Sequence, residues 1–232
     1  MSEFFLELFS EEVPPNLQIN ARKKLYLDLK NFFDENNIII KGSSNSFSSP
    51  NRIAINFSNI SKEILKKSLE IRGPALNAKQ EALDGFLKSH NINKSQVFLK
   101  KTEKGEFYFY KKPEQRLKTE HLLKENLPII LDKINWNKSM KWGSNKMFWG
   151  RPLKSILALF NGKKIQFKFY HLYSSNLTFI DKDFEEKTKS FNNFKSYQAY
   201  FKSIKIILDQ DKRKEFISSE LNKISKKNNL LI

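Results

Sequence analysis

Apolar residues at Leu17, Ala21, Leu25, Leu29, Phe32 and Phe33 recur at spacings of three and four, the period of a helix that buries one face. A short strand precedes it, from Phe4 to Phe9. Between them Glu11-Glu12-Val13-Pro14-Pro15 punctuates the chain, because proline fits the first helical turn, where its missing N–H costs nothing. Ile38-Ile39-Ile40 predicts a strand, the Ser- and Asn-rich run 42–50 a loop, and Arg52 to Phe57 a further strand. Glu70 to Pro74 is extended and ends in a turn. A helix is expected over Gln80 to Ser89, with Asp84-Gly85-Phe86 interrupting it. Val97–Lys101 and Phe107–Lys111 flank Glu103-Lys104-Gly105 as a hairpin. Thr119 is placed to cap a helix reaching Lys133. Ile156–Phe160 and Ile165–Tyr170 straddle Asn161-Gly162, the strongest short-range hairpin signal present. After Ser174 the pattern becomes helical, over Ser196–Leu208 and Asp211–Lys227. Mixed elements with antiparallel hairpins predict an α+β fold with a helical C-terminal segment. The domain reading is an α+β region over 1–173 and a mostly helical segment over 174–232. The closing run Asn228-Asn-Leu-Leu-Ile232 suggests a truncated chain, although a docked C-terminus would carry the same apolar residues.

Charge changes the picture more than size does. The 232 residues carry a net +17, and only six of the 42 basic residues are arginine. Two sources of that excess stay open: a phosphate-rich partner, or an AT-rich genome that fills tolerant surface positions with lysine and asparagine. With no cysteine, disulfides, thiolate metal sites and cysteine nucleophiles are excluded. His90, His121 and His171 lack metal-ligand spacing. No run is long enough to span a membrane, and the acidic N-terminus lacks the basic start of a signal peptide. A soluble, cytoplasmic protein is expected. There is no phosphate-binding glycine loop and no nucleophile elbow. Glu7, Glu11 and Glu12 are the densest early carboxylates; such a group can serve acid/base work, but helix-entry acids that complement the macrodipole are the commoner reading.

Scarce residues cluster between Lys138 and Pro152, where two of three tryptophans and one of six arginines fall within Met140-Lys-Trp-Gly143 and Phe148-Trp-Gly-Arg-Pro152. Other motifs that are costly to replace are Glu11-Glu-Val-Pro-Pro15, Ser49-Pro-Asn-Arg52, Arg72-Gly-Pro74, Gly85-Phe86 and Lys104-Gly-Glu106. In this order and at these separations they resemble the N-terminal third of the beta subunit of bacterial tetrameric glycyl-tRNA synthetase, over essentially the whole chain. The sequence departs from that family where a Gly-His-Arg-Phe motif is usual. Asn176 to Phe184 stands there with neither the Gly nor the His, so a role tied to that histidine is in doubt. Ser155 also takes a place where an aromatic is common.

The resemblance implies a non-catalytic subunit of glycine–tRNA ligase. The enzyme joins glycine to its tRNA through a glycyl-adenylate and works as two alpha and two beta chains. Glycine activation lies on the alpha subunit, so ATP and Mg2+ are used there and this chain binds no cofactor and no metal of its own. The beta chain contributes tRNA binding, assembly with alpha and self-association in the tetramer. In the family it extends several hundred residues further, with a portion resembling anticodon-binding modules. No catalytic residue is assigned. Arg52, Arg72 and Arg151 have two uses open to them: contact with phosphate or ribose, or pinning a turn through a carbonyl or carboxylate. Lys138 and Lys141 are the candidates for salt-sensitive RNA contact. Trp142, Trp149, Pro15, Gly73, Pro74 and Pro152 are read as structural or interface residues. Two alternatives are a free-standing basic RNA-binding protein and a purely structural assembly module.

Overall fold

The computed structural model describes residues 2–142, 144, 146–180 and 187–229. Gly143 of the Met-Lys-Trp-Gly motif, part of the stretch replacing Gly-His-Arg-Phe and the last three residues lie outside them. In chain order the first elements are β1 (Glu3–Ser10), α1 (Pro15–Glu35), β2 (Ser44–Ser49), β3 (Arg52–Ser58), β4 (Glu63–Lys66) and β5 (Leu69–Ala75). Next come α2 (Gln80–His90), β6 (Val97–Thr102), β7 (Gly105–Lys112), β8 (Gln115–Lys118) and α3 (Thr119–Asp132). Then follow β9 (Met140–Lys141), β10 (Phe148–Trp149), β11 (Leu153–Phe160), β12 (Lys163–Lys164), β13 (Lys168–Phe169) and β14 (Leu172–Tyr173). The chain closes with β15 (Leu177–Phe179), β16 (Thr188–Ser190), α4 (Phe194–Ser203) and α5 (Gln210–Asn228). The fold is α+β, as the sequence predicts. Two compact units result: Met1–Lys62 with Lys118–Ile232, and Glu63–Leu117.

The larger unit is built on a five-stranded sheet of order β12-β11-β1-β3-β2, with antiparallel pairing throughout. Register decides what each face carries, since cross-strand partners share a face. Phe4, Leu6 and Leu8 lie opposite Phe57, Ile55 and Ile53 on one side and Phe160, Ala158 and Ile156 on the other. On this face α1 lays its apolar stripe, with Phe33 edge-on to Phe4 at 6.0 Å and to Phe57 at 5.0 Å. The opposite face, through Phe5, Phe47, Leu157 and Leu159, is closed by Phe191, Phe194, Tyr197, Phe201 and Leu208. The segment after Ser174 thus completes the core of this unit.

The smaller unit has the antiparallel sheet β5-β7-β6, with α2 lying over Gly73, whose missing side chain admits the Phe86 ring. A Cβ at Gly73 would come within 2.9 Å of that ring.

Several elements differ from expectation for identifiable reasons. Ser44–Ser49 is a strand rather than a loop, because an edge strand needs only backbone bonds to β3 and one inward ring, Phe47. Ile38-Ile39-Ile40 makes only an isolated bridge, Ile40 to Ile60, after Asn37 turns the chain at φ +56°. Thr119 does not cap α3: its hydroxyl donates to Ser61 O at 2.6 Å, and Lys118 occupies the cap position without a side-chain bond. Gly85 does not interrupt α2. The Asn161-Gly162 turn forms, with both residues at positive φ (50° and 80°), as a two-residue hairpin loop requires. Regular pairing beyond it lasts only to Lys164. The helix expected from Ser196 begins at Phe194 and ends at Ser203, before Lys205 turns at φ +61°.

Candidate functional site

Three of the motifs meet at one end of the larger unit's central strand. Where β1 ends, Ser10 N–H donates to Asn51 O at 2.9 Å, and the Asn51 amide returns a bond to Ser10 O at 3.1 Å. Val13 N–H donates to Pro50 O at 2.7 Å, and Glu11 N–H to Pro152 O at 2.9 Å. Arg151 Nε donates to Glu12 O at 3.1 Å, and Lys154 pairs with Glu11 at 2.7 Å. The Glu-Glu-Val-Pro-Pro turn is therefore clasped between the Pro50–Asn51 turn and the Arg151–Pro152 segment. Pro15 opens α1 directly behind it. A shallow depression of about 490 Å3 is lined here by Glu11, Glu12, Trp142, Arg151 and Pro152.

The Trp-Gly and Arg-Pro segment folds as the small hairpin β9–β10, with Lys141 opposite Phe148 and Met140 opposite Trp149. Trp149 is buried, 5.1 Å from the Trp136 ring and edge-on to Phe169 at 5.7 Å. Trp142 is half-buried and donates its indole N–H to Trp149 O at 3.0 Å. Any side chain at Gly150 would overlap the Trp136 ring. Lys138, Lys141, Met140 and Phe148 are exposed. The hairpin has a packed indole base and a cationic, apolar rim.

Beneath the sheet lies a charged pair. Glu7 is completely buried in mid-strand and pairs with Arg52 at the start of β3. Thr178 donates to Glu7 at 2.8 Å, while Arg52 also bonds Thr178 Oγ1 at 3.0 Å and the Phe179 carbonyl. Two aromatic faces hold the guanidinium, Phe9 at 4.5 Å and Phe201 at 4.6 Å. Burial pushes the Glu7 carboxyl above its ordinary 4.5, against the downward pull of Arg52 and Thr178. Burial, and then the Glu7 charge, push the Tyr197 phenol well above 10. The Glu7–Arg52 pair fastens β1, β3 and β15 together.

Each residue singled out in the sequence now has a setting. Arg52 pairs with the Glu7 carboxylate, and Arg151 donates its Nε to the Glu12 carbonyl. Arg72 is exposed, with its guanidinium 3.5 Å from the Phe107 ring centroid. Gly73 and Pro74 continue β5. Glu7, Glu11 and Glu12 are not helix-entry acids, since the first turn of α1 holds no acid. Sequence reasoning missed Arg52 and Thr178 as the partners of Glu7. The available signal was the lone charge inside Phe-Phe-Leu-Glu-Leu-Phe, where a buried strand face demands a counter-charge. Among the described residues, no group of three or more His, Asp or Glu is arranged to hold a metal. No helix there is long and apolar enough to cross a membrane.

Comparison with known proteins matches the chain over almost its full length. A family profile described as glycyl-tRNA synthetase beta subunit matches residues 4–232. The glycine–tRNA ligase beta subunit of Rickettsia canadensis (strain McKiel) is 34% identical over 232 residues, covering 100% of this chain and 34% of the relative. That of Rickettsia prowazekii (strain Madrid E) is 34% identical and that of Rickettsia typhi (strain ATCC VR-144 / Wilmington) 35% identical, each over 100% of this chain and 35% of the relative. The chain thus spans about a third of the length of the curated relatives it matches. With the family profile matching from residue 4 to residue 232, the chain belongs to the glycyl-tRNA synthetase beta subunit family.

Proposed function

We propose that this chain is the part of a glycine–tRNA ligase beta subunit that binds tRNA and supports assembly with the alpha subunit, in ATP-dependent glycylation of tRNA(Gly). The observation that carries the reading is the family match across residues 4–232. The motifs behind it form a clasped turn and an indole-based hairpin, which are features of a scaffold rather than of a reaction centre. In this reading glycine activation, with its ATP and Mg2+, belongs to the alpha subunit. The net charge of +17 supports the tRNA role through phosphate neutralisation. Lys138 and Lys141, exposed beside Phe148, and Arg72 in the smaller unit are the side chains suited to RNA contact. Trp142, Trp149, Pro15 and Pro152 hold the surface that would be presented to a partner. Self-association of beta chains in a tetramer and a cytoplasmic location complete the proposal.

Co-expression with the alpha subunit of the same organism tests it. Co-purification of the two chains, with glycylation of tRNA(Gly) above that of alpha alone, is the expected result. If alpha does not co-purify and glycylation does not rise, the proposal is wrong.

A further inference from the structure

One surface takes no part in the clasped turn or the indole-based hairpin: the face of the β5-β7-β6 sheet turned away from α2. Register separates the two faces cleanly. Ile71, Tyr110 and Val97 align across the three strands, and this side takes α2, with His90 stacked between Phe86 at 4.8 Å and Tyr110 at 6.3 Å. On the other side Arg72, Phe109 and Phe98 align, flanked by Phe107 opposite Lys100 and by Lys111 opposite Glu70. Phe98 and Phe109 stack at 6.1 Å with their planes 28° apart, and Phe98 remains 38% exposed. The Arg72 guanidinium sits 3.5 Å from the Phe107 centroid, and Lys100 lies 5.4 Å from that of Phe109. Arg72, Lys100 and Lys111 are all exposed. Glu70 is the one carboxylate among the facing positions just named, and Lys100 holds it at 2.5 Å.

Phe109 is buried and Phe107 half-buried beneath Arg72, so the open planes of this face are the Phe98 ring and the Arg72 guanidinium, and with the cations beside them they present two complementary surfaces at once. The ring and guanidinium planes accept the π-face of a base, and the surrounding ammonium groups accept its phosphate. Only unpaired nucleotides can use both, because bases inside a duplex have their faces covered by stacking neighbours. An A-form duplex offers phosphates and 2′-hydroxyls instead. We propose that the Phe98–Arg72–Phe107 face of the smaller unit is a stacking platform for single-stranded RNA. This rests on the tRNA-binding reading above and assigns the contact to unpaired nucleotides rather than to a helical stem. An apolar protein surface suits the face less well, since it would bury the Arg72, Lys100 and Lys111 charges without anions to meet them.

The test uses the full chain and fluorescence anisotropy, with a labelled single-stranded RNA dodecamer and the duplex of the same sequence. Single strand should bind at least tenfold tighter than duplex. Phe98→Ala should weaken single-strand binding about five- to tenfold, the lower range for loss of one stacked base, with little change for duplex. Phe98→Leu keeps the apolar volume and loses the π-face, so it should fall equally. Phe98→Trp should restore binding. Wild-type affinity in both Phe98→Leu and Arg72→Ser would overturn the platform while leaving the tRNA reading intact. Unchanged RNA binding with loss of alpha co-purification would overturn it in favour of a protein-docking face. If the wild-type chain binds neither RNA, the platform and the tRNA reading fall together.

Discussion

At the scale of single residues the fold depends most on Arg52. It is the charged partner of a carboxylate with no exposure, and removing one member of such a pair leaves the other uncompensated in a low-dielectric interior. Arg52→Ala should therefore cost about 3–5 kcal/mol, read as a lowered urea midpoint at neutral pH. Glu7 makes a separate prediction about pH. Its carboxyl is held above the ordinary 4.5 in the folded state, so the native protein binds a proton that the unfolded chain has released. Below the ordinary value both states are protonated and Glu7 adds no pH dependence. As pH rises from about 4.5 through the raised value, stability falls. Glu7→Gln should remove that decline, shown by urea midpoints measured across this window in both proteins. Ser49-Pro-Asn-Arg52 could be recognised in the sequence as a positioned arginine. What it is positioned against could not, because its partners lie at Glu7, Thr178 and Phe179, far away along the chain.

Elements governed by local rules were legible, and those governed by distant contacts were not. α1 has its apolar period, and the β11–β12 turn has Asn-Gly chemistry, and both form as read. β2 has neither signal and exists because β3 offers it a ladder. Gly85 was read as a break, since glycine is a poor helix former, yet ten other residues and a left-handed Asn91 cap carry α2 through it. That error gives a usable contrast. Nothing lies within 4 Å of a Cβ built on Gly85, so Gly85→Ala should stabilise by roughly 0.5–1 kcal/mol through helix propensity. Gly150→Ala meets the Trp136 ring instead and should cost about 1–3 kcal/mol as overpacking. Denaturation midpoints of the two variants should move in opposite directions. The Lys138–Pro152 cluster, a compositional oddity in the sequence, proves to be a packing feature: indoles at its base and a glycine where no side chain fits.

For the molecule as a whole, charge and connectivity are the properties that matter. Each lysine that neutralises a phosphate of single-stranded RNA contributes about 0.7 to the slope of log affinity against log salt. Replacing Lys138 and Lys141 together by alanine should reduce that slope by about 1.4 if both touch phosphate, as proposed. An unchanged slope would return their charge to the account of a tolerant surface. Connectivity was the least legible property, because the two-unit division falls inside a stretch whose strands and helix look continuous with the rest. The larger unit holds the two ends of that excursion itself: Thr119 N–H donates to Lys62 O at 2.8 Å, and its hydroxyl to Ser61 O. A chain whose exit and re-entry points are already fastened treats what lies between them as a cassette. Closing entropy grows only slowly with loop length, about 0.6 kcal/mol per doubling, so the length of the excursion by itself costs the host little. Replacing Glu63–Leu117 by a short Gly-Ser link should leave a cooperatively unfolding protein with the Trp136 and Trp149 fluorescence of the parent. The same fastening would let the cassette diverge in sequence, and in what it binds, faster than the sheet that carries it.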